Sequence, residues 1–194
     1  MEKLPLDFYL RDDVLQISQE LLGKVLMTCI NGVYTGGIIT ETEAYRGPED
    51  RASHAYGGRR TKRNEVMYHA GGHAYVYRIY GIHAMFNIVT NSIEIPHAIL
   101  IRAIKPIIGV EQMIKRRNKT KNKANLTGGP GTLAQALGID TIHNGLLLTG
   151  PLIWLEDHHI CCEKKNLVIG PRVGIDYAGE HAQLPWRFIY ALEM

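Results

Sequence analysis

The chain has 194 residues, 45% of them hydrophobic and 21% charged, with a formal net charge of +3. That composition is ordinary for a soluble globular protein, three cysteines make no disulfide framework, and the length suffices for one large domain with its own core. Charge is uneven: residues 1–58 hold 5 Lys/Arg and 9 Asp/Glu, residues 59–123 hold 13 and 3, and residues 124–194 hold 4 and 7, so the middle third fits either a polyanionic partner or a solvated basic face.

Asp12 and Asp13 precede Val14, Leu15, Ile17, Leu21 and Leu22, with Gly23 closing the pattern, which predicts a capped amphipathic helix. Residues 24–30 read as a strand, and Asn31-Gly32 is a two-residue hairpin turn into a second strand running to about Glu43. Residues 45–72 are Gly-rich and polar and read as a long functional loop. Strands follow over 73–80, 84–90 and 97–104, then a helix over 109–117. A basic loop spans 118–131 and ends in Gly128-Gly129-Pro130-Gly131 ahead of a short helix over 132–138. Several short strand patterns follow, the last at 186–192. The expectation is one α+β domain, residues 1–194, with a curved, mostly antiparallel sheet and flanking short helices.

Four clusters carry chemistry. Glu41, Glu43 and Tyr45 share a strand face at the entry to the long loop. A carboxylate there suits a general base, but on its own the pattern fits a charged edge strand better. Arg59-Arg60-Thr61-Lys62-Arg63-Asn64 follows Gly57-Gly58 and suits phosphate oxygens. Tyr75, Tyr77 and Tyr80 precede Gly81. Tyr75 reads as core, whereas Tyr80 at a turn suits stacking or wedging. Lys115, Arg116, Arg117, Lys119, Lys121 and Lys123 read as a solvated surface that adds non-specific duplex affinity.

His69 and His73 are four apart with Gly71-Gly72 between them, and His158, His159, Cys161 and Cys162 lack zinc-knuckle spacing, so no metal and no cofactor is expected. An odd cysteine count with an adjacent pair points to a reducing compartment. No secretory signal or membrane span is read, so the expectation is a cytoplasmic protein, nucleoid-associated in a bacterium.

Taken in order, several stretches resemble the alkyladenine (3-methylpurine) DNA glycosylase family, in its compact bacterial form. They are Glu41–Tyr45 with Gly47-Pro48-Glu49-Asp50, Ser53-His54, Gly57-Gly58-Arg59 and Thr61–Asn64. They continue with Tyr75-Val76-Tyr77, Ile79-Tyr80-Gly81, Asn87, Leu100–Ala103, Gly129-Pro130-Gly131 with Leu133, Gln135–Leu137, and Gly170-Pro171-Arg172-Val173-Gly174. The resemblance implies that Glu43 activates the nucleophilic water and that Arg102 helps to hold it. Tyr45, His54 and Tyr77 would wall the extruded base, whose edge the His54 backbone reads. Asn87 would crowd the 2-amino group of guanine and Tyr80 would fill the gap in the stack. Arg59, Thr61 and Arg63 would touch the DNA backbone. Ile82 and His83 depart from the Met and Tyr of vertebrate members.

These roles describe a monofunctional enzyme acting on duplex DNA as a monomer. It would excise 3-methyladenine, 7-methylguanine, hypoxanthine and ethenoadenine and leave an abasic site without a lyase step. The chemistry matches glycoside hydrolysis through an oxocarbenium-like sugar, after extrusion of the nucleotide. Rival readings are a non-catalytic nucleic-acid-binding module, a metal-dependent hydrolase built on the His/Cys cluster, and a tRNA-binding formyltransferase-like domain.

Overall fold

A computed structural model describes residues 2–118, 125–160 and 162–191. It is α+β, with one nine-stranded sheet whose neighbours all pair antiparallel. The strands are β1 (Glu2–Lys3), β2 (Val25–Ile30), β3 (Val33–Arg46), β4 (Ala74–Ile79), β5 (His83–Thr90), β6 (His97–Ile108), β7 (Ile153–Asp157), β8 (Leu167–Gly170) and β9 (Arg187–Tyr190). The helices are α1 (Leu6–Tyr9), α2 (Val14–Glu20), α3 (Val110–Arg116) and α4 (Pro130–Leu137). The sheet runs β1-β7-β2-β3-β6-β5-β4, and β9 joins β8 to β3.

Local signals explain the elements. The Asp13 carboxylate accepts from the amides of Leu15 and Gln16 and caps α2. Asn31 and Gly32 both have positive φ, as the tight β2–β3 turn requires. Gly138 ends α4 in the left-handed region. The predicted boundaries shift modestly. β3 reaches Arg46, β6 continues to Ile108, and the last strand covers Arg187–Tyr190. The long loop contains two 3-10 turns, Tyr56–Gly58 and Glu65–Tyr68. Helix α1, a single turn, has no amphipathic signature and goes unpredicted.

Strand alternation divides the core into two sides. Ala44, Ala74, Val76, Phe86, Ile88, Ile99 and Ile101 join the main cluster with α2, α3 and α4. Tyr75, Val89 and Ala98 face the other way and pack on Val66, Met67 and Tyr68 of the long loop. A third cluster ties Ala52 of that loop to Ile175, Ala178 and Ala182, with Tyr45 packed on it. Thr42 turns toward α2, where its hydroxyl donates to the Ser18 carbonyl at 2.9 Å and meets the Ser18 hydroxyl at 3.0 Å. That contact sends Glu43 to the loop face.

Candidate active site

One register row crosses the sheet: Tyr75 pairs with Asn87, Asn87 with Leu100, Leu100 with Glu43, and Glu43 with Arg187. Directly paired residues share a face. The row therefore collects residues from β4, β5, β6, β3 and β9 beneath the long loop. The β3–β6 register slips between Ile39 and Glu41 and again between Glu41 and Thr42, leaving Arg102 in the bulge. Bulges re-aim side chains, and here Arg102 comes beside both glutamates.

A cavity of about 330 Å³ lies over this row, walled by Tyr45, His54, Tyr77 and Tyr177, with Asn87 and Arg102 also lining it. Glu43 is 0% exposed and sits behind that lining. Its Oε1 accepts the Val173 amide at 2.8 Å and lies 3.4 Å from Arg102 Nη1. Its Oε2 accepts the Tyr45 hydroxyl at 2.9 Å. Burial raises the carboxyl above the ordinary glutamate value, against the opposing pull of Arg102, the Val173 amide and the Tyr45 hydroxyl. Glu41 accepts from Arg102 Nε and Arg187 Nε, each at 2.7 Å. The cluster holds an ionisable carboxylate, desolvated and bordered by one cation, next to a cavity fit for a flat ring.

The walls are aromatic and ordered. His54 Nδ1 and the Tyr75 hydroxyl are 2.7 Å apart, and the His54 and Tyr77 rings meet edge to face at 4.6 Å. Burial, reinforced by Arg63 and Arg59, lowers His54 to about 4, so its imidazole is neutral at physiological pH. The His54 carbonyl accepts from Asn64 Nδ2 at 3.0 Å. Asn87 is 3% exposed, and its amide nitrogen donates to the carbonyls of Tyr75 and Met85, which fixes the side chain's orientation.

Tyr80, at the tip of the β4–β5 hairpin, also lines the cavity and is 86% exposed. Tyr80 and Gly81 both have positive φ, 52° and 72°.

The basic segment divides. Arg60 is tied to Glu65 and Glu94 at 2.6 Å each. The Thr61 hydroxyl donates to Asn64 Oδ1 within the loop. Arg63 lies 5.1 Å from the Tyr77 ring at the cavity, and Arg59 with Arg51 lines a second, adjacent cleft of about 380 Å³. Of the later basic run, Arg116 and Arg117 bind Thr35, Ala136 and Gln135, whereas Lys119, Lys121 and Lys123 lie outside the described residues.

Among the described residues no three His, Cys, Asp or Glu side chains gather as metal ligands, and Cys161 lies outside them. No described helix is long and apolar enough to cross a membrane.

A model of the methylpurine-DNA glycosylase family matches residues 7–193. The chain belongs to that family. It is thereby a DNA N-glycosylase for alkylated bases. A protein of Chlamydia felis, provisionally named 3-methyladenine DNA glycosylase, is 52% identical over 187 residues, covering 96% of this chain and 95% of the relative. A Bacillus cereus protein with the same provisional name is 47% identical over 195 residues, covering 96% and 94%.

Family membership accords with a site of aromatic walls and one buried carboxylate. Residue-by-residue reading missed four contributors. Val173, as an amide donor, has no side-chain signature. Tyr177 sits in an irregular segment without periodicity. Asp50 and Arg172 are both within quoted motifs, but 122 residues separate them and nothing in the spacing pairs them.

Proposed function

We propose that this glycosylase flips 3-methyladenine, 7-methylguanine, hypoxanthine and ethenoadenine from duplex DNA and hydrolyses the glycosidic bond with Glu43 as general base. The observation that carries the reading is Glu43 itself. It is wholly buried, raised by desolvation, and held by two hydrogen-bond donors and the Arg102 cation behind a cavity walled by Tyr45, His54 and Tyr77. In its ionised form it takes a proton from a water that approaches from the cavity side past Arg102, and it stabilises the developing sugar cation.

Electron-rich walls favour the electron-poor rings of alkylated purines. Asn87, held on the Tyr75 and Met85 carbonyls, is a fixed obstacle for the 2-amino group of guanine. Tyr80 fills the vacated stack, and Arg59 and Arg63 meet the phosphates. The Thr61 hydroxyl, engaged with Asn64, reaches DNA only if that loop contact yields. Among the described residues no lysine lines the cavity, in keeping with a monofunctional reaction. One copy presents the whole cavity, in keeping with action as a monomer.

The test is single-turnover cleavage of a duplex carrying one hypoxanthine, comparing the wild type with Glu43→Gln. The wild type is expected to yield strand breaks only after alkaline work-up. Glu43→Gln is expected to bind the duplex but react about 10²–10⁴-fold more slowly. Full activity in Glu43→Gln would remove Glu43 as the base, and strand cleavage without alkali would remove the monofunctional reading.

A further inference from the structure

We infer that Arg172 is a positioning residue for Glu43: its buried guanidinium, anchored on Asp50, fixes both of the groups whose hydrogen bonds clamp the two carboxylate oxygens. The inference rests on the proposal that Glu43 is the base.

The side chains of Arg172 and Asp50 are both fully buried. Nη2 of Arg172 donates to Asp50 Oδ1 at 2.8 Å, and Nη1 donates to Asp50 Oδ2. Nη1 also donates to the carbonyl of Ala44 at 2.8 Å, the residue between Glu43 and Tyr45. The guanidinium lies 4.7 Å from the Tyr45 ring centroid and 5.0 Å from that of Trp186. Tyr45 lines the cavity and Arg172 does not, so the cation backs this wall from behind. Tyr45 then delivers its hydroxyl to Glu43 Oε2, and Val173, the residue after Arg172, delivers its amide to Oε1. One side chain thus ties together the backbone at Ala44, the ring of Tyr45 and the segment carrying the Val173 amide.

Stability alone does not call for an arginine here. Replacing a buried ion pair by well-packed apolar groups is often neutral or stabilising. The buried Arg172 Nε makes no hydrogen bond among the described residues, which adds a desolvation cost. What the pair supplies is geometry at the carboxylate.

The experiment is the pH dependence of single-turnover excision at saturating enzyme, with duplex affinity measured in parallel. The groups facing Glu43 are Glu41 and Tyr45 on β3, Arg102 on β6, Arg187 on β9 through Glu41, Tyr77 on β4 and Tyr177. Arg172→Lys leaves all of them in place and keeps a cation for Asp50, but loses the forked pairing and the stacking on Tyr45. A loosened Val173 amide and Tyr45 hydroxyl stabilise the ionised carboxylate less. The expected result is a rate roughly tenfold or more below the wild type, an acid limb moved to higher pH, and unchanged duplex affinity.

A second variant, Asp50→Asn combined with Arg172→Met, removes both charges together and leaves neither uncompensated. It should show the same slower rate and moved acid limb, again with unchanged duplex affinity. Wild-type rate and acid limb in either folded variant would overturn the inference. So would a slower rate with an unmoved acid limb, which is the mark of general structural damage. Glu43→Gln run alongside separates the two ideas. If it is inactive while the Arg172 variants behave as wild type, only the positioning role falls. If it is active, the base assignment falls and takes the positioning role with it.

Discussion

Burial raises the Glu43 carboxyl because the Val173 amide, the Tyr45 hydroxyl and Arg102 only partly replace the water that the ionised form would bind. Two pH dependences of opposite sign follow. As the proposed general base Glu43 works ionised, so excision is expected to fall as pH drops through the raised pKa, at higher pH than for an ordinary glutamate. The folded state binds this proton more tightly than the unfolded chain does. Glu43 therefore contributes stability that is fully present below the unfolded value, near 4.5, and is lost as pH rises through the folded value. Glu43→Gln is accordingly expected to melt above the wild type at pH 7.5, with the difference shrinking toward pH 4.5. Thermal melts across that range check it, and a gap that widens on acidification would contradict it. His54, lowered to about 4, adds no limb to the rate profile at neutral pH.

At the level of elements, the β4–β5 hairpin shows a local cost set against a proposed use. A non-glycine residue at positive φ is strained, and Asn tolerates that region better than Tyr. Tyr80→Asn should stabilise the fold by about 1 kcal/mol, or roughly 2–4 °C in Tm for a chain of this size, while slowing excision from duplex DNA. Calorimetry and single-turnover rates on one preparation would read both effects, and a lower Tm would refute the strain argument. This hairpin was legible in sequence because Gly81 breaks an alternating strand, as were the Asp13 cap and the Asn31-Gly32 turn, all of which are local. The register slips on either side of Glu41 between β3 and β6 were not legible. They depend on how Ile39, Glu41 and Thr42 meet residues some 60 positions away, and they decide where Arg102 lies. The docking of β9 on Glu41–Glu43 is equally non-local.

For the whole molecule, the concentration of positive charge in residues 59–123 overstates what meets a polyanion. Arg60 is paired with Glu65 and Glu94, Arg78 with Asp140, and Arg102 with Glu41 and Glu43, while Arg116 is bound to Thr35 and Ala136. A sequence counts charges without showing which are already neutralised, because partners such as Glu94 and Asp140 lie 34 and 62 residues away. Arg59 and Arg63, which line the two clefts, are the cations proposed to meet phosphate. Arg59→Ala is therefore expected to reduce the slope of log affinity against log salt by about 0.9, whereas Arg60→Ala should leave it unchanged. Titrations of an undamaged duplex at several salt concentrations distinguish them, and equal slopes for the two variants would remove the assignment.

The seat of Glu43 behind the cavity lining also bears on what can attack the sugar. Both carboxylate oxygens are clamped by protein donors, and a purine in the cavity would stopper the approach. With Glu43 as the proposed base, the opening left between them is expected to admit water and to exclude larger nucleophiles. In a methanol–water mixture the reaction should therefore partition wholly to the hydrolysed sugar, with no methyl glycoside, however favourable the bulk ratio of the two nucleophiles.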